Sequence, residues 1–217
     1  MKRRTLDLLF SIGGLGIAGL LVILGVVLTS NANFSDDYVT RQLKAQRITF
    51  PVAEKLKPEE QESACVVRYA GQMVTTGKQA ECYANEFIGL HVQNAAGGKT
   101  YAELGDVQTS LRAKIAEAQR SNDPGVADLQ KQLADATSQR ETVFKGETLR
   151  GILLTSYGFS ELGAKGAEMA TVTFVAAGLM LVLSIAGFVH FFVTPRSQAF
   201  AAVEPDRPRE REAVSVA

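Results

Sequence analysis

The stretch "LLFSIGGLGIAGLLVILGVVL", residues 8–28, holds no charged side chain. As a helix it is long enough to cross a bilayer, which takes roughly 20 apolar residues. A second run, "MATVTFVAAGLMLVLSIAGFVHFFV", spans 169–193 with His190 as its one ionisable group. Between and around these runs the chain is polar. The 46% hydrophobic content and zero net charge of the 217 residues therefore average two unlike kinds of sequence. The balanced total charge therefore says nothing of a nucleic-acid partner, and there is no basic, aromatic-interleaved stripe to support one, so no nucleic-acid partner is expected.

Basic residues set the expected orientation. Lys2, Arg3 and Arg4 precede the first run, and Arg196, Arg207, Arg209 and Arg211 follow the second, so both ends are expected in the cytoplasm. A cleaved secretory leader is the competing reading, because Ser30 and Ala32 stand where small residues flank a cleavage site. The apolar run exceeds the ~7–15 residues of a leader's central region, so a retained anchor fits better. The expectation is an all-α, multi-pass protein of the cytoplasmic membrane. It comprises a cytoplasmic tail (1–7), a transmembrane helix (8–29), an extracytoplasmic helical domain (30–168), a second transmembrane helix (169–193) and a disordered cytoplasmic tail (194–217).

Cys65 and Cys82 are the two cysteines of the chain. Outside the cytoplasm an even pair reads as a disulfide. Zinc would need about four ligands, and only His91 lies near in sequence; a redox pair favours C-x-x-C, which is absent. No cofactor or metal is expected.

Within the domain, Ser35 with Asp36 and Asp37 suggests the N-terminus of a short helix ending before Phe50-Pro51. "EKLKPEEQES" (54–63) reads as a solvated, proline-broken linker. "YANEFIGLHVQNAAGG" (83–98) reads as a helix ending at Asn94 before a glycine turn. Thr100 and Glu103 form a capping-box pattern, after which Leu104, Val107, Leu111, Ile115 and Ala118 recur at three- and four-residue steps along one helical face. After "SNDPG", with Asp123 as cap and Pro124 as first residue, Val126, Leu129, Leu133, Ala136 and Val143 continue the stripe. These residues predict the seam of an αα-hairpin with arms of roughly 27 Å. "LRGILLTSYGFSELGAKGAE" (149–168), bearing Tyr157 and Phe159, reads as an interfacial or docking helix.

The apolar runs carry small residues in helical register: Ser11, Gly14, Ala18 and Gly25 in the first, Ala170, Thr173, Ala177, Ser184 and Gly187 in the second. Such faces permit close backbone approach in lipid, either of one span on the other or of a span on another membrane protein. His91 and His190 have no recognisable chemical partners in the sequence, and neither G-x-S-x-G nor H-E-x-x-H occurs. A non-enzyme is expected.

The stretches "RRTLDLLFSIGGLGIAGLLVILGVVLTSNANF", "CYANEFIGLHV", "GKTYAELG" and "LRGILLTSYGFSELG" together resemble a family of two-span envelope proteins of mycobacteria and their actinobacterial relatives. Those proteins are accessory to Mce-type lipid importers. The resemblance covers nearly all of the chain except the final tail. It implies attachment to a complex of permease, ATPase and substrate-tunnel subunits, in contact with membrane lipids, and it supplies no catalytic motif. Relatives named as ring-opening dioxygenases would need a cluster of iron-binding His and Glu residues, and this chain has two histidines. The alternative is a self-associating envelope scaffold, a homo-oligomer without a transporter.

Overall fold

A computed structural model describes residues 3–195. Lys2, Arg196, Arg207, Arg209 and Arg211, and the tail from 196 onward, lie outside the described residues. Those described are about 85% helical and contain no strand. In chain order the helices are α1 (Arg3–Gln46), a 3₁₀ turn (Ala53–Lys55), α2 (Pro58–Gln61), α3 (Ala64–Tyr69), α4 (Gly77–Cys82), a π-helical turn (Tyr83–Ile88), α5 (Gly89–Ala95), α6 (Tyr101–Arg120) and α7 (Val126–Val193). The described residues divide into two compact units, one of residues 3–26 with 170–195 and one of residues 27–169.

In the first unit, the two apolar stretches belong to helices of 44 and 68 residues, both longer than a bilayer requires. Under a fifth of each apolar window is buried. Phe10, Leu20, Val172 and Leu183 are each more than 60% exposed. The core helix of a water-soluble protein would hide such residues, so this surface suits lipid. Two helices of the chain are thus long and apolar enough to cross a membrane.

The second unit is built on a small core of Val39, Leu43, Phe50, Val66, Val74, Ala80 and Leu153, all nearly or wholly buried. Phe50 packs its ring against Tyr69 and Tyr83, at centroid distances of 5.6 and 5.0 Å. The segment before the 3₁₀ turn is held to the segment before α4 by an isolated antiparallel bridge, Thr49 to Met73, with Phe50 N donating to Gln72 O and Val74 N to Ile48 O. Cys65 and Cys82 are disulfide-bonded, joining α3 to the end of α4 with their Cα atoms 6.1 Å apart. Their sequence separation is 17, so the link restricts the unfolded chain by about 3 kcal/mol. Gly97 and Gly98 both take positive φ, which ends the helical run after α5 and turns the chain toward α6.

Several local expectations are corrected. No helix starts at Ser35: α1 runs unbroken through it, and the Ser35 hydroxyl donates instead to Phe159 O at 2.7 Å. With no proline or glycine between Thr29 and Gln46, nothing interrupts the backbone ladder. Residues 149–168 do not form a separate interfacial helix but are part of α7. The expected boundaries at 29/30 and 168/169 likewise fall inside α1 and α7. At the tight turn, Asp123 accepts from Gly125 N while Asn122 adopts φ 52°, so α7 begins at Val126 rather than at Pro124. "EKLKPEEQES" is no solvated linker throughout, because Glu60 within it is 2% exposed.

Candidate functional site

Glu60 is the third residue of the short α2, where its Oε2 accepts from the Lys57 backbone N at 2.9 Å. Its other oxygen lies 3.0 Å from His91 Nε2, with the Glu60 side chain 3% exposed and that of His91 38%. His91 Nδ1 is 2.8 Å from Phe87 O, one turn earlier, and the imidazole stands edge-to-face against the Phe87 ring. A carbonyl only accepts, so Nδ1 carries a proton. The Nε2 contact with a carboxylate then needs a second proton, held by the imidazole or by Glu60. The pair is a polar latch between α2 and the helix carrying His91, with its carboxylate buried and its imidazole partly open to solvent. The expectation that His91 has no partner is thereby overturned.

Beside this latch is an open cleft of about 940 Å³ whose charged lining comprises Glu59, Glu62, Glu86, Glu147, Lys99 and Arg150. Arg150 is already engaged: it donates to both Glu147 oxygens, at 2.7 and 2.9 Å, and to Ala84 O at 3.1 Å. The cleft is therefore acidic in balance, with its strongest cation held against its own wall. Among the described residues no group of three or more His, Cys, Asp or Glu side chains is placed to hold a metal ion.

The capping box at Thr100 and Glu103 forms, with Glu103 Oε2 accepting from Thr100 N at 2.7 Å and Thr100 Oγ1 accepting from Glu103 N at 3.3 Å. The Thr100 backbone amide, joined by the Thr100 hydroxyl donating to Oε2 at 2.8 Å, holds the Glu103 carboxyl below its usual range. Of the seam residues, Leu104, Leu111, Ala118, Ala136 and Val143 are buried, whereas Val107, Ile115, Val126, Leu129 and Leu133 are half-buried. Leu104 and Val143 meet in a small cluster with Val92 and Ala96. The face also holds a polar clasp that periodicity of apolar residues does not reveal. Gln108, 3% exposed, donates to Thr137 Oγ1 at 2.8 Å and accepts from Arg140 Nη1 at 2.9 Å. The Arg140 guanidinium lies 4.0 Å from the centroid of the Tyr101 ring. Gln108 sits four residues after Leu104 and three before Leu111, the positional signal that places it on the seam.

Elsewhere in this unit Lys78 Nζ lies 3.1 Å from Glu161, 3.0 Å from the Tyr157 hydroxyl and 4.6 Å from the Tyr157 ring centroid. The hydrogen bonds to Tyr157 and Glu161 raise the exposed Lys78 ammonium above its ordinary range. Burial pushes the Tyr83 phenol up.

In the first unit the two small-residue faces turn toward each other. Ser11, Gly14, Ala18, Gly25, Ala170, Ala177 and Ser184 are buried, and Thr173 and Gly187 half-buried. A Cβ on Gly14 would collide with Ser184 Oγ, one on Gly187 with Ser11 Oγ, and one on Gly25 would sit 2.8 Å from the Phe174 ring. Ser11 Oγ donates to Asp7 O at 2.7 Å. At the same end, His190 Nδ1 lies 2.9 Å from Asp7 Oδ2, and Arg4 Nε donates to Phe191 O at 3.1 Å. Thus His190, too, has a charged partner that the sequence did not reveal.

No protein-family model, curated protein or solved structure matches the chain.

Proposed function

We propose that the chain is a non-catalytic accessory subunit of a membrane lipid-import complex of the Mce type, stabilising or regulating the transporter. Both termini are cytoplasmic, and residues between the spans form an extracytoplasmic helical domain in which α6 and the first part of α7 make an αα-hairpin. The observation that carries the reading is the mutual packing of the small-residue faces within one pair of apolar helices. With Gly14 against Ser184 and Gly187 against Ser11, those stripes are occupied. A partner is then met by the exposed sides of the helices or by the domain of residues 27–169. The lipid-import partner comes from the resemblance of "CYANEFIGLHV" and "LRGILLTSYGFSELG" to two-span accessory proteins. The disulfide favours an oxidising compartment for that domain.

The test is mild detergent extraction of the tagged full chain from native membranes, followed by mass spectrometry of what co-purifies. Permease subunits in stable ratio are the expected result. Recovery of the chain with copies of itself alone would replace the transporter reading by a self-associating scaffold.

A further inference from the structure

The helix α2 is four residues long, and Glu60 is the one of them that is buried. A helix this short has no stability of its own, so its attachment depends on what its side chains reach. The apolar burial that docks most helices is absent from α2, whose buried side chain is a carboxylate. Glu60 Oε2 is used at the helix's own start, by the Lys57 amide, and Oε1 makes the tie across to His91 Nε2.

That tie depends on a proton count. His91 Nδ1 stands 2.8 Å from Phe87 O and Nε2 stands 3.0 Å from Glu60 Oε1, so the ring faces an oxygen at each nitrogen. An imidazole with one N–H satisfies one of these oxygens and turns a lone pair on the other. The ring is rigid and stands against Phe87 at a centroid distance of 4.5 Å, so swinging one nitrogen away carries the other off its partner. Glu60 is then a carboxylate in a site 3% exposed without its donor, a state relieved by moving out to water.

Carboxylates prevail around the pair. Glu59 in α2 and Glu62 at its end flank Glu60, the π-helical turn contributes Glu86, and α7 contributes Glu147, all on the cleft beside the latch. Of the cations there, Arg150 is bound to Glu147 and to Ala84 O, and Lys99 stands after α5. Glu54, Lys55 and Lys57 ahead of α2, and Arg68 of α3, are exposed. Tyr83 ends the ring row Tyr83–Phe87–His91, and burial pushes its phenol up, so it stays neutral where histidine titrates. The other histidine, His190, belongs to the other unit.

We infer that the Glu60–His91 contact is a proton-operated catch: closed, it holds one proton more than the open pair, and loss of that proton as pH rises frees α2. Glu59, Glu62 and Ser63 line the acidic cleft, so release of α2 also loosens that wall. A closed state that binds the extra proton is favoured at low pH and loses ground as pH rises, by up to about tenfold in the closed-to-open ratio per pH unit. The inference rests neither on the membrane placement nor on the transporter partner.

The test is amide hydrogen exchange of the purified full chain in detergent micelles, at steps from about pH 5 to about pH 8.5, which bracket the titration of histidine. Each rate is divided by the intrinsic rate of the unstructured sequence at that pH, so that opening alone is read. Protection over 58–69 is expected to fall at least about tenfold across the range, while that of 105–118 in α6 stays constant. Glu60→Gln lets an amide donate to a neutral ring, so its protection should be flat or rise with pH. His91→Gln removes the titrating group and should also abolish the fall, and His190→Gln should leave it unchanged. Either Glu60→Gln or His91→Gln suffices when its disulfide is intact. Protection over 58–69 that is constant or rises with pH in the unsubstituted chain overturns the inference, as does a fall that survives in either of those two variants. An equal fall over 105–118 assigns the response to the whole domain rather than to α2 and overturns it as well.

Discussion

Replacing His91 by Ala removes one side of the latch and leaves Glu60 Oε1 without its partner in a side chain only 3% exposed. An orphaned buried acceptor costs about 1–3 kcal/mol, and breaking a fully buried ion pair about 3–5. His91 is 38% exposed, so water reaches the vacated position and the lower range applies, near 2 kcal/mol. Glu60→Gln is different in kind. Its amide oxygen retains the bond from Lys57 N, and its NH₂ group donates to an unprotonated Nε2, so the cost stays below about 1 kcal/mol. Hydrogen exchange of the full chain in detergent micelles, read by mass spectrometry over 58–69, measures local opening directly. The expected acceleration is about 30-fold for His91→Ala and under about 5-fold for Glu60→Gln. Equal effects of the two substitutions, or less than about a 3-fold change for His91→Ala, would refute the assignment of the latch.

Three further outcomes are expected. Alkylation of the folded protein without reduction should label neither Cys65 nor Cys82, and Cys65→Ser should cost about 3 kcal/mol of unfolding free energy, seen as earlier proteolysis of the domain. The folded-state carboxyl of Glu103 is depressed, so its stabilisation is complete above the unfolded pKa and is lost as pH falls through the lower folded value; amide exchange at 101–104 should rise there, and Thr100→Ala should remove that pH dependence. Gly14→Leu or Gly187→Leu should abolish a cysteine crosslink engineered between the apolar helices while preserving membrane insertion, because each new side chain meets a serine of the other helix. Survival of the crosslink in both variants would show that the small-residue faces do not set this contact.

What the sequence by itself determined is what depends on neighbours along the chain. The uncharged runs at 8–28 and 169–193, the box at Thr100 and Glu103, and the turn at Gly97 and Gly98 were all legible because length, spacing and local hydrogen bonding dictate them. The cysteine pair was legible because only two thiols exist, leaving one pairing. Burial of a polar side chain is different, since it is created by segments that meet only after folding. Glu60 looked like one more charge in a solvated run, and only the approach of the helix bearing His91 makes it a buried acceptor. Gln108 fell on a readable face, yet its role depended on Thr137 and Arg140 across the packed helices. The same holds for the small residues. Their register was readable, but two helical faces that each admit a close neighbour are satisfied equally by one another or by a partner. The tertiary structure chose the former by setting Gly14 against Ser184 and Gly187 against Ser11.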